Sequence, residues 1–88
     1  MNIIHYCDPG HGWYKVSRKV LSKLGIEHAI SSYSYERKES VYLEEDCDAD
    51  LLFNHLAIEG VYPNVITKHT NRTSKIRGYN RFRQEASA

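Results

Sequence analysis

The stretch IIHYCDPGHGWYKVSRKVLSKLG (residues 3–25) carries two kinds of pattern on either side of one break. Ile3, Ile4, Tyr6 and Cys7 are apolar on both faces of an extended segment, so residues 2–7 read as a strand. Asp8-Pro9-Gly10 ends it, because proline fixes φ and glycine admits turn conformations. Beyond the break, Trp13, Val16, Val20, Leu21 and Leu24 recur at helical spacing with lysines and arginines between them. Ser17 suits the N-cap of that helix and Gly25 its C′ position. The stretch reads strand, turn, helix.

Working outward, HAISSYSY (residues 28–35) alternates as a second strand. ESVYLEE (residues 39–45) follows the polar turn Glu36-Arg37-Lys38, so the two form a hairpin. Asp46 or Asp48 then caps a second helix carrying Leu51, Leu52, His55 and Leu56, closed by Gly60, with carboxylates in its first turn to suit the helix dipole. NVITKHT (residues 64–70) is the fourth strand. The fold class expected is α+β in the order β-α-β-β-α-β, the ferredoxin-like arrangement, with a mostly antiparallel sheet and two helices on one face. Residues 1–70 make this domain, and residues 71–88 a basic, irregular C-terminal segment docked on it.

The chain of 88 residues bounds the answer to one small domain with a modest core. No apolar run is long enough to span a bilayer and no signal-peptide pattern appears, so a cytoplasmic setting is expected. In that setting Cys7 and Cys47 read as buried free thiols. The formal net charge is only +1, but it is segregated. Glu36, Glu39, Glu44, Glu45, Asp46, Asp48 and Asp50 crowd one segment. Between Gly60 and Gln84 there are only cations, Lys68, Arg72, Lys75, Arg77, Arg81 and Arg83. The basic segment suits an anionic partner.

Asp8-Pro9-Gly10-His11-Gly12 resembles the start of zinc-dependent N-acetylmuramoyl-L-alanine amidases, where the histidine is a metal ligand. That chemistry needs three protein ligands, an open fourth position and a carboxylate for the metal-bound water. Glu44, Glu45, His55 and His69 are of the right types, but none stands in a context like the family's other motifs. DCDAD (residues 46–50) places aspartates at positions 1, 3 and 5 of a calcium loop, yet Leu51 and Ala57 stand where glycine and glutamate are required. His5, Cys7 and His11 are a sparse zinc signal. No catalytic residue, metal or cofactor is therefore assigned, and no enzyme is expected.

Taken together, DPGHGWYKV, ISSYSYERKESVYLEEDCDADLL and HTNRTSKIRGYNRF are similar to a family of small, uncharacterised accessory proteins of tailed bacteriophages. The shared marks are the His-Gly-Trp turn, the Ile-Ser-x-Tyr-Ser-Tyr strand, the Tyr-Leu-Glu-Glu-Asp-Cys-Asp segment and the basic tail. The resemblance transfers no catalytic residue. It implies a phage protein at work in the host bacterial cytoplasm, in a setting where such proteins often counter host defence.

The residues suited to binding are His11, Gly12 and Trp13 in the turn, Tyr33 and Tyr35 in the expected strand, and Arg72, Lys75, Arg77, Tyr79 and Arg81 in the tail. Glycines and backbone N–H groups admit an anion, aromatic rings stack on a base, and guanidiniums hold phosphate. Each has a plainer use as well: Trp13 as a core anchor, the tyrosines in cross-strand packing, the tail as a loosely docked segment. The expected function is non-catalytic capture of a small nucleotide-type anion. The alternatives are blockade of a host bacterial protein and, less favoured, nucleic-acid binding through the tail, whose phosphates the acidic hairpin would repel. No membrane partner is expected, and homo-oligomerisation stays open.

Overall fold

The computed structural model describes residues 1–84. Six strands form one sheet: β1 (Asn2–Cys7), β2 (Gly12–Ser17), β3 (Tyr35–Arg37), β4 (Ser40–Glu44), β5 (Asn64–His69) and β6 (Asn80–Arg81). The helices are α1 (Arg18–Lys23) and α2 (Ala49–Ile58). The sheet order is β5-β1-β2-β4-β3-β6, with β5 parallel to β1. The result is a small α+β domain with a mixed sheet. The ferredoxin-like order and the mostly antiparallel sheet expected from the sequence do not describe it.

The difference starts in the opening stretch. Asp8 Oδ1 accepts hydrogen bonds from the N–H groups of Gly10 and His11, both at 2.9 Å, and the Asp8 N–H donates to the His11 carbonyl. The break is therefore the loop of a β-hairpin, with Tyr6 opposite Trp13 and Ile4 opposite Lys15. Trp13 and Val16 lie on a strand and point to opposite faces, so their helical spacing is coincidence. The helix itself agrees with the expectation: Ser17 is its N-cap, and Gly25, with φ of +73°, follows its end in the left-handed conformation.

HAISSYSY departs too. Asp48 is buried, and its carboxylate accepts from the Ser31 N–H, the Ser31 hydroxyl (2.8 Å) and the Ser34 hydroxyl (2.5 Å). These bonds bend the serines into turns before Tyr35 joins the sheet. Asp48 still stands at the N-cap of α2, but its side chain makes no cap bond. The hairpin turn falls at Lys38-Glu39, with Lys38 at φ +56°, one step later than expected.

Helices α1 and α2 cover one face of the sheet. Ile3, Val16, Val41 and Leu43 from the strands meet Leu21, Leu52 and Leu56 from the helices, joined by Ile26, Ile30 and Phe82. Val20 and Leu24, on the same apolar spacing as Leu21, pack at its edge half-buried. The other face, by register, presents Ile4, Tyr6, Trp13, Lys15, Tyr35, Tyr42 and Lys68. Residues 71–79 fold back across it as a strap, and Ile76 is buried against Trp13, Tyr35 and Tyr42. The chain then adds β6 beside β3 and drops Phe82 into the helix-side core. Cys7 is half-buried and Cys47 exposed, both as free thiols, which corrects the expectation that both are buried. Residues 85–88 of the expected C-terminal segment lie outside the described residues.

Candidate functional site

The strap is anchored at one point. Asp8 Oδ2 accepts from Arg77 Nε at 2.7 Å and from the Ser74 N–H at 2.9 Å, while Arg77 Nη2 reaches Oδ1 at 3.0 Å. The Asp8 side chain is almost fully buried. The Arg77 guanidinium, with the Ser74, His11 and Gly10 N–H groups, holds this carboxyl far below the usual carboxylate range against the opposing effect of burial. The cationic tail thus finds one of its counter-ions across the fold. Arg77 also lies 5.2 Å over the Trp13 ring.

Most of the candidate residues are shared between two of the clefts found among the described residues. His11, Trp13, Tyr33, Tyr35, Arg77 and Arg81 line a cleft of about 370 Å³ together with Glu44, Asp46 and Cys47. Arg72, Lys75 and Tyr79 line the other, of about 650 Å³. Gly12 lines neither. A Cβ there would fall 2.3 Å from Glu45 Oε1 and 2.4 Å from His5 Nε2, so glycine permits the close pairing of those two side chains at 3.1 Å.

In the smaller cleft two of the aromatic rings are already engaged, while Tyr33 is exposed. Trp13 and Tyr35 are buried and meet edge to face at 6.2 Å, and Arg81 sits 4.5 Å over Tyr35. A base could stack on them only by displacing the protein's own guanidiniums. The cleft also holds carboxylates. His11 Nδ1 lies 3.1 Å from Glu44 Oε1, and Glu44 Oε2 accepts from the Asp46 N–H. His11, Glu44 and Asp46 bring one ligand-type atom each within 4.8 Å of one another, a set that the sequence motifs did not suggest. A side-chain hydrogen bond to Glu44 pushes the Cys47 thiol up from its ordinary pKa.

The larger cleft has a different character. Its floor is the sheet face itself, with Tyr6 and Tyr42 and the stem of Lys15, and its wall is the strap with Ile76 and Tyr79. Tyr42 lies 6.2 Å from Tyr6 and 5.2 Å from Tyr79, ring to ring. Burial, then the neighbouring Tyr79 and Tyr6, pushes the Tyr42 phenol up, so its hydroxyl stays protonated and able to donate. Around these rings stand Lys15, Arg37, Lys68, Arg72 and Lys75, with His69 and the hydroxyls of Thr70, Thr73 and Ser74. Among the described residues no carboxylate lines the cleft. Arg37 lies 5.3 Å over Tyr79.

Sequence reasoning had picked the strap residues but missed Tyr6, Lys15, Arg37, Tyr42 and Lys68. The available signal was alternation: once Gly12–Ser17 is a strand, Lys15 and Tyr42 fall on one face with Tyr6. Among the described residues no helix is long and apolar enough to cross a membrane. No family model matches the chain, and neither the curated proteins nor the solved structures give a match.

Proposed function

We propose that this protein binds a phosphate-bearing, nucleotide-type ligand in the larger cleft, without catalysis. One observation carries the reading: five cationic side chains converge on a tyrosine-floored cleft that is lined by no carboxylate among the described residues. Like charges held together repel, and a polyanion relieves that repulsion while forming charge-assisted hydrogen bonds. The volume, about 650 Å³, lies within the range of ligand pockets and admits a nucleotide. The half-buried Tyr6 and Tyr79 offer apolar ring surface to a base, and the Thr70, Thr73 and Ser74 hydroxyls offer donors to phosphate oxygens.

Single-stranded nucleic acid is a second reading with its own support. The acidic residues Glu44 and Asp46 line the smaller cleft and are absent from the larger one, so local repulsion of phosphates does not apply there. A cleft with tyrosine rings and flanking cations is the kind of surface on which unpaired bases stack. From the resemblance to phage accessory proteins we carry over the setting, in which capture of such a ligand in the host cytoplasm counters host defence.

Calorimetry against cyclic and linear nucleotides and short single-stranded oligonucleotides tests both readings. Saturable binding that Arg72→Ala or Lys15→Ala weakens by roughly 1.5–3 kcal/mol supports the cleft. Affinity that grows with oligonucleotide length favours nucleic acid. No binding by any of these ligands, with a host protein captured through Glu39 instead, would replace ligand capture by protein blockade.

A further inference from the structure

The sheet has two edges, and they are unlike. β6 ends one edge with two residues, Asn80–Arg81. β5 ends the other with six, Asn64–His69, all of them exposed. Asn64 N–H donates to the Met1 carbonyl and Thr70 N–H to the Cys7 carbonyl, so the even-numbered residues of β5 turn their backbone groups toward β1. Because direction alternates along a strand, the N–H and C=O groups of Val65, Thr67 and His69 point away from the sheet. Open edges of this length template pairing with another strand, and natural proteins usually blunt them with charge, proline or a bulge. Within β5 only Lys68 carries a fixed charge. Of the exposed large apolar side chains among the described residues, Val65 and Ile66 lie on this strand, Tyr62 just precedes it, and Met1 neighbours its first residue.

We infer that β5 pairs antiparallel with β5 of a second copy, joining two sheets into one across a two-fold axis that passes between the two Thr67 residues. The register follows from the backbone. With Thr67 facing its own mate and Val65 facing the partner's His69, every outward N–H meets an outward C=O. On the helix-free face Lys68 then stands opposite the partner's Ile66, so the lysines do not oppose each other. Facing threonines are a favourable cross-strand pair. The single long edge explains why the partner is a second copy: the contact uses the same strand on both chains and closes the assembly at two. An axis normal to the joined sheet puts both helix-free faces on the same side. The two basic clefts, each with Lys68 in its lining, then open side by side on one surface.

Light scattering on the purified full chain tests this. The expected particle has twice the 10.2 kDa chain mass, and Thr67→Pro returns it to the single mass. That substitution removes an N–H which makes no bond to β1, so far-ultraviolet circular dichroism should be retained. Thr67→Lys, which sets two ammonium groups face to face at the axis, gives the same loss should the proline variant fold poorly. Amide exchange should slow at Val65, Thr67 and His69 as protein concentration rises. A wild type that stays at the single mass as concentration rises overturns the inference. So does a dimer that survives the well-folded variant, or one in which those three amides exchange freely.

Discussion

Asp8 and Arg77, which stand 69 positions apart, meet through two hydrogen bonds of 2.7 and 3.0 Å and so fasten the C-terminal strap to the first hairpin. The same aspartate shapes the hairpin loop through Gly10 and His11, so one buried carboxylate ties that loop to the strap. Its removal therefore costs more than removal of its partner. Asp8→Ala abolishes the loop bonds, the Ser74 bond and the ion pair together, and about 3–5 kcal/mol of stability should be lost. Arg77→Ala leaves Asp8 with its three backbone donors, and the expected loss is nearer 1.5–3 kcal/mol. Denaturant midpoints of the two variants check the order.

The pH dependence follows from the same carboxylate. Its folded-state pKa is depressed below the ordinary value of 3.8, chiefly by Arg77 and then by the Ser74 N–H. A depressed acid contributes stability that is fully present above the unfolded value and is lost as pH falls toward the folded one. The protein should therefore hold its stability down to about pH 5 and lose it progressively below pH 4. Asp8→Asn should flatten that acid limb in a series of thermal melts. An acid limb as steep as that of the wild type would show that another group governs it.

Leu52 and Asp48 test the helix-side half of the fold. Leu52 is fully buried between α2 and the sheet, and Leu52→Ala should cost about 2–5 kcal/mol. Ile58, at 80% exposed on the same helix, should tolerate alanine within about 0.5 kcal/mol. Asp48→Ala frees the Ser31 N–H and leaves the Ser34 hydroxyl without its acceptor, and the loss should be about 1–3 kcal/mol. Denaturant unfolding of the three variants ranks them.

Those residues also mark what was legible in the chain and what was not. α2 and its closure at Gly60 follow from local pattern, as do β1, β4 and β5, because apolar spacing and turn residues agree there. The second strand was hidden. Trp13 and Val16 happen to stand three apart, and nothing local says that the Asp8 turn closes a hairpin before the helix begins past Ser17. The Ser31–Ser34 turns depend on Asp48, 14 to 17 positions away, so alternation misled. The site was half legible for the same reason. Strap residues announced themselves by charge, whereas Tyr6, Lys15 and Tyr42 become neighbours only through the register of β1, β2 and β4.

The central claim is that the tyrosine-floored basic cleft, and not the smaller one beside it, receives the ligand. Nuclear magnetic resonance of labelled protein titrated with a nucleotide or short oligonucleotide addresses it directly. Shifts are expected at Tyr6, Lys15, Tyr42, Lys68 and Arg72, with His11, Tyr33 and Asp46 unmoved. Shifts confined to His11, Trp13, Tyr33 and Asp46, or none with any phosphate-bearing ligand, would contradict it.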